Sequence, residues 1–200
     1  FFLVTERVVN KILEGTGMSV DSFEDRVAET MEPASQELNN TSVSFSTTVD
    51  TKIIKARNVL GYIEGHSKDE FIVVGAHYDH IGKWDGWIFN GADDNASGVS
   101  TVLELAEYFG HPENQPRRSM LFITFGAEEK GILGSRYFVE HTAIDLSNIM
   151  LMINIDMLGR MKPDSIIQIG GTGTADELNS ILQEANKDCG LKLDLSEAGY

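Results

Sequence analysis

The sequence predicts an α/β fold: a three-layer sandwich in which helices flank a mixed central β-sheet. Three observations carry this. From about residue 69 onward, apolar strand-like runs alternate with amphipathic helical patterns across short loops. Two of the runs, "SMLFITF" and "NIMLMINI", are almost continuously apolar, as expected where both faces of a sheet are covered. The 200 residues and 42% hydrophobic content suffice for one core of ordinary size with a small appendage.

The elements follow in order. "TERVVNKILEG" sets Val8, Val9, Ile12 and Leu13 on one helical face, with Gly15 as a stop. Residues 16–41 are polar and weakly periodic, with a helix expected over 22–31. Residues 43–49 ("VSFSTTV") alternate as a strand, 56–65 form a second and 69–80 contain a third; their closeness predicts an antiparallel meander. The helix "NASGVSTVLELAEYF" carries Val99, Val102, Leu103, Ala106 and Phe109 at helical spacing. Strand "SMLFITF", a helix over 133–141, and strands "NIMLMINI" and "SIIQI" come next. Thr174 and Glu177 form a capping-box pattern opening a helix with the stripe Leu178, Ile181, Leu182, Ala185 and Cys189, stopped by Gly190. "LKLDL" is the last strand.

The formal net charge is −15, which sets the chain against binding a phosphate backbone. No apolar run approaches the ~18 residues of a membrane span. Cys189 is the only cysteine and lies on the apolar stripe of its helix, so it reads as a buried structural thiol. "IGGTGTADEL" resembles a dinucleotide loop superficially, but Asp176 falls where the third glycine belongs and would repel a pyrophosphate. It reads as a Gly-rich turn. Asn39 and Asn40 fit the glycosylation pattern, and Trp84 and Trp87 either wall a pocket or cover an edge.

Four segments share one design, an apolar strand or its following loop ending in metal-capable side chains. "VVGAHYD" ends in His77 and Asp79, "NGADD" offers Asp93 and Asp94, "ITFGAEE" ends in Glu128 and Glu129, and "MINID" ends in Asp156. Sites in α/β sheets collect at the carboxyl ends of strands, so these residues can share one cleft. Carboxylates gathered there repel each other unless a cation joins them. A donor set of imidazole and carboxylate without thiolate suits Zn²⁺ first, then Co²⁺ or Mn²⁺. One histidine among several acids suggests two metals about 3.5–4 Å apart sharing a bridging carboxylate. His77 and Asp79 face the same way along a strand, which places Asp79 to hold the imidazole. Glu128 and Glu129 point apart on an extended backbone, so if one binds metal the other is free to act as a base. His80, one residue past the His77–Asp79 pair, reads as structural, and His66, His111 and His141 read as surface residues.

Together these residues resemble the M28 family of co-catalytic zinc peptidases. The resemblance runs from residue 58 to residue 200 through "NVLGYIEG", "VVGAHYDHIG", "NGADDNASG", "RSMLFITFGAEEKGILGSRYF" and "NIDMLGR". It implies one metal pocket from His77, Asp93 and Asp156. It implies a second from Asp93, Glu129 and a histidine beyond Tyr200, with Asp93 bridging two Zn²⁺ ions. Glu128 would be the general base and acid, Asp94 would set the turn, and the bond between Asp93 and Asp94 would be cis. The implied function is a metallo-exopeptidase, most closely an aminopeptidase cleaving N-terminal residues of peptides through a metal-activated water. A non-catalytic receptor of the same fold and a single-zinc glutaminyl cyclase are the alternatives. The resemblance also implies an exported, secreted or periplasmic parent. Residues 1–41 are expected to be the tail of a protease-associated insert and its linker, and 42–200 a catalytic domain lacking its C-terminal part.

Overall fold

A computed structural model describes residues 3–35, 37–39, 41–162 and 166–199. Asn40, one of the two glycosylation-pattern residues, lies outside them. The chain divides into two compact units, Phe1–Ile53 and Ile54–Tyr200.

The first unit holds helices α1 (Glu6–Ile12) and α2 (Val20–Thr30). Ser19 caps α2: its hydroxyl accepts the Ser22 N–H while the Ser22 hydroxyl accepts the Ser19 N–H, so two otherwise orphaned donors are satisfied reciprocally. The Asn10 side chain accepts the Val20 N–H at 2.8 Å and ties the helices together. The strand expected over 43–49 does not form, and Val43, Phe45 and Val49 stand exposed. Alternation alone supplies no pairing neighbour, and an unpaired strand has no ladder to stabilise it.

The second unit is built on a four-stranded sheet of β1 (Val59–Ile63), β2 (Ser67–His77), β5 (Arg118–Phe125) and β6 (Ile149–Asn154), in the order β1-β5-β2-β6. β5 runs antiparallel to β1 and parallel to β2, and β2 runs parallel to β6. This replaces the expected meander: β1 and β2 are separated by β5, because the apolar β5 needs neighbours on both sides. Alternate residues of the central strands serve opposite faces. Val74, Ala76, Met120 and Phe122 pack with Val102, Leu105 and Ala106 of helix α3 (Gly98–Gly110). Val73, Leu121, Ile123 and Phe125 pack with Phe138 of helix α4 (Leu133–His141). Ile123 and Ala76 are fully buried. Each such apolar side chain contributes about 1.5–3 kcal/mol of burial, so the two-sided core holds the strand ends rigid. The sheet is thus mixed and flanked by helices, as expected.

The "GKWDGWIF" stretch forms a hairpin of β3 (Gly82–Trp84) and β4 (Trp87–Phe89), with Trp84 opposite Trp87 and both exposed. β7 (Ile166–Ile169) and β8 (Lys192–Leu195) form a separate parallel pair joined through helix α5 (Leu178–Cys189). α5 starts later than its capping pattern suggests: the Thr174 hydroxyl donates to the Gly171 carbonyl and closes a preceding turn instead. Cys189 is exposed, not buried, because α5 buries none of its residues.

Candidate metal centre

Parallel pairing puts the carboxyl ends of β2, β5 and β6 on one edge of the sheet. His77 is the last residue of β2, Glu128 and Glu129 lie just past β5, and Asp156 lies just past β6. A turn at Ala92–Ser97, entered through Gly91 at φ +69°, carries the aspartate pair to the same edge ahead of α3.

His77 is buried, with 4% of its surface exposed. Its Nδ1 lies 3.0 Å from the Asp79 backbone carbonyl. A carbonyl can only accept, so Nδ1 carries a proton and Nε2 is the nitrogen turned toward the carboxylates. Nε2 sits 3.1 Å from Asp94 Oδ1 and 3.5 Å from Asp156 Oδ1. These three side chains form one donor group, and His80, Asp94 and Glu129 form another. In the second group His80 Nδ1 lies 2.8 Å from Glu129 Oε1 and 3.6 Å from Asp94 Oδ2. Asp94 is therefore common to both, one oxygen toward each.

The shared acid differs from the one expected. Asp93 turns away: its Oδ1 accepts the Gly159 N–H at 2.8 Å and its Oδ2 meets Arg160 Nε at 2.8 Å. The cis peptide is likewise Asp94–Asn95, not Asp93–Asp94. The reason is the anchoring of the turn. Asn95, 2% exposed, donates to the Ile155 carbonyl at 2.9 Å and accepts the Gly98 N–H at 2.9 Å. The Ser97 hydroxyl donates to the Asp93 carbonyl and accepts the Leu158 N–H. With Asp93 and Asn95 both bound to the segment after β6, Asp94 is the residue left facing His77 and Asp156.

Asp79 also acts differently from expectation. Its backbone carbonyl, not its carboxylate, holds His77. The carboxylate instead accepts the backbone N–H of Glu128 at 2.9 Å and of Glu129 at 3.3 Å, one on each oxygen. Ala127, at φ +57°, makes the bend after β5. Asn58 bridges Gly126 and Gly134, and the Glu128 carbonyl accepts the Gly131 and Ile132 N–H groups. So fixed, the two glutamates diverge: Glu129 joins His80, while Glu128 Oε2 stays 4.0 Å from His77 Nδ1 in neither donor group.

Among the described residues, the ion pairs of Asp94, Asp156, Glu128 and Glu129 are all with His77 or His80. The residues fit a divalent cation. The donors are imidazole nitrogen and carboxylate oxygen, and those of each group lie within 4.8 Å of one another. His80 Nδ1 and Glu129 Oε1 are buried without a hydrogen-bond partner among the described residues. The expected residues His77, Glu129 and Asp156 come together, Glu128 stands beside them, and Asp93 does not join. Sequence reasoning missed Asp94 and His80. The adjacency of Asp93 and Asp94 held the first signal but not its parity, and the second histidine of "HYDH" held the other. The adjoining cleft, of about 500 Å³, is lined by His80, Gly91, Asp93, Asp94, Gly159 and Arg160 among others, and by neither tryptophan.

Known proteins share this arrangement of strands and loops. The chain is 40% identical over 119 residues to the probable lipoprotein aminopeptidase LpqL of Mycobacterium tuberculosis, covering 58% of the chain and 22% of that protein. It is 37% identical over 86 residues to a probable glutamate carboxypeptidase of Arthroderma benhamiae, covering 42% of the chain and 11% of that protein. The structure of LapB from Legionella pneumophila superposes with a TM-score of 0.57 at 27% identity, covering 72% of this chain and 39% of that one. A glutaminyl cyclase from Porphyromonas gingivalis superposes with a TM-score of 0.58 at 19% identity, covering 72% and 56%, a likeness of fold alone. The chain thus spans about a fifth or less of the two relatives' lengths. The profile of peptidase family M28 matches residues 58–198, the whole stretch that carries the sheet and the donor groups, and the chain belongs to that family.

Proposed function

We propose that the protein is a zinc-dependent exopeptidase, an aminopeptidase in the first instance, with two ions about a shared Asp94. The single observation that carries this is the pairing of two donor groups through one carboxylate, with Glu128 beside them and outside both. His77, Asp94 and Asp156 would hold one Zn²⁺, and Asp94 and Glu129 would contribute to the other; Co²⁺ or Mn²⁺ suits the same donors. When bound, the ions supply Lewis acidity to a carbonyl and lower the pKa of water toward about 7.

The chain's own residues do the rest. Glu128 takes a proton from water as its oxygen forms a bond to the scissile carbonyl carbon. It passes that proton to the amide nitrogen as the C–N bond breaks, so a carboxylic acid and an amine leave. The backbone clamp of Asp79 keeps Glu128 aimed, and the His77 Nδ1–H bond to the Asp79 carbonyl holds the ring so that Nε2 turns toward Asp94 and Asp156. The carboxylates around the cleft favour a peptide's free α-amine. The relative named an aminopeptidase supports the N-terminal choice, and the relative named a glutamate carboxypeptidase marks the competing one. An exported or envelope location belongs to the same reading, supported by the relative named a lipoprotein. Among the described residues no helix is long and apolar enough to cross a membrane.

Hydrolysis of aminoacyl-nitroanilides against N-acylated dipeptides tests the reading. Turnover of the former, lost on chelation and in Glu128→Gln, is expected. Turnover that survives both treatments would sink it.

A further inference from the structure

We propose that a groove between α4 and the segment leading into β1 binds the C-terminal end of an apolar peptide, with Arg57 on its carboxylate. None of the metal donors lines this groove, and the proposal does not rest on the zinc reading.

The groove encloses about 750 Å³, within the ~300–1,000 Å³ usual for a small-ligand site. Ile54 and Leu60 line one side, and Leu133, Tyr137 and Phe138 line the other. Leu133, Tyr137 and His141 follow one another at four-residue intervals, so they form one stripe along α4. Phe138 turns into the core, whereas Ile54, Leu60, Leu133 and Tyr137 keep their apolar surface exposed.

The frame of the groove is fixed. Asn58 accepts the Gly126 N–H and donates to the Gly134 carbonyl, tying the start of β1 to the end of β5 and to α4. The Arg57 carbonyl accepts the Tyr78 hydroxyl at 2.8 Å. A Cβ on Gly126 would lie 2.7 Å from that carbonyl oxygen, so the two backbones are in contact. The Tyr137 and His141 rings stack at 4.1 Å, 11° from parallel. A site braced in this way loses little freedom when a ligand enters.

Charge selects the ligand. The chain has 16 lysines and arginines against 31 aspartates and glutamates. Among the described residues, however, the groove is lined by Arg57 and His141 and by no aspartate or glutamate. The arginine ion pairs of the described residues are Arg118–Glu70 and Arg160–Asp93, which leaves the Arg57 guanidinium without a carboxylate. Its planar fork matches a carboxylate. A free amino acid carries an ammonium beside its carboxylate, and the groove offers that ammonium no acid. A peptide C-terminus keeps its carboxylate far from any amine. The Thr142 hydroxyl accepts the Ile144 N–H and keeps its own O–H to donate, and the His141 imidazole lies beside it. An alkyl chain would cover these polar groups without bonding them, whereas the amides of a peptide supply partners.

Calorimetric titration with N-acetyl-leucyl-phenylalanine and with its C-terminal amide tests the proposal. One equivalent of the free acid is expected to bind, roughly tenfold or more tighter than the amide, as a charge-assisted pair implies. Arg57→Gln should abolish that preference with far-UV circular dichroism unchanged. Tyr137→Ala, which removes part of the apolar wall, should weaken acid and amide alike. Equal binding of acid and amide by the wild type, or binding of neither, overturns the proposal. A preference that survives Arg57→Gln and disappears on chelation belongs to the metal centre and also overturns it. Decanoate binding as tightly as the peptide acid would overturn the peptide as occupant.

Discussion

The carboxylate of Asp79 accepts the backbone N–H of Glu128 at 2.9 Å, and its second oxygen takes the N–H of Glu129. One acid after β2 thus fixes the backbone of the two glutamates after β5. In Asp79→Asn one oxygen becomes an NH₂ group facing an N–H. Outer partners of this kind typically contribute 10–100-fold, so turnover is expected to fall by about that factor with far-UV circular dichroism unchanged. Metal affinity should weaken as well, because Glu129 shifts with Glu128. Wild-type affinity and turnover in Asp79→Asn would remove Asp79 from this positioning role.

The aspartate pair separates by substitution. Asp94→Asn is expected to lose tight metal uptake, since both donor groups share this carboxylate. Asp93→Asn should keep uptake and lose stability instead. Its bond to the Gly159 N–H is exposed, and its Arg160 partner is 79% exposed and contributes little. The amide oxygen of asparagine still accepts the Gly159 N–H, more weakly than the carboxylate, so a cost of no more than about 0.5–1.5 kcal/mol is expected. Calorimetric metal titration of both variants decides between them, and loss of uptake in Asp93→Asn alone would reverse the assignment.

Asn95 holds the turn that aims Asp94. Replacement by alanine leaves the Ile155 carbonyl and the Gly98 N–H without their partner in a buried place. Each such loss costs about 1–3 kcal/mol, so Asn95→Ala is expected to lower unfolding free energy by about 2–4 kcal/mol in urea denaturation. An unchanged urea midpoint would show that the turn stands without it.

Gly134 sits against the loop that carries the glutamates. A Cβ there would lie 2.3 Å from the Gly126 carbonyl oxygen and 2.5 Å from Asn58 Oδ1. Backbone cannot swing aside as a flexible side chain can. Gly134→Ala should therefore cost about 1–3 kcal/mol and displace the loop, so that thermal midpoint and turnover fall together. A fall in midpoint with turnover retained would show that the strain is absorbed in α4.

A core substitution separates stability from site effects. Ile123→Ala, at a fully buried position of β5 away from the cleft, should cost about 2–5 kcal/mol with metal stoichiometry unchanged in the folded fraction. Loss of an equivalent in that fraction would tie the site to packing between β5 and α4.

Several features were legible from the sequence alone. The apolar runs of β5 and β6 and the stripe of α3 implied a sheet covered on both faces, because continuous and periodic hydrophobicity record burial directly. The strand-terminal positions of His77, Glu128, Glu129 and Asp156 implied a shared edge, because parallel strands deliver their ends to one side. Other features needed long-range pairing. Residues 43–49 alternate but form no strand, and β1 joined β5 rather than β2, since pairing depends on which edges are free. Asp93 and Asp94 are equivalent as letters. Asn95 binding Ile155 and Asp93 binding Gly159, across about sixty residues of chain, decide which carboxylate faces His77. His80 joined the donors because Gly91 lets the turn pack against it, a contact between two loops that no local pattern encodes. Burial pattern fixed the layers and the edge where the acids meet; hydrogen bonds between distant segments fixed which acid, and which histidine, face one another.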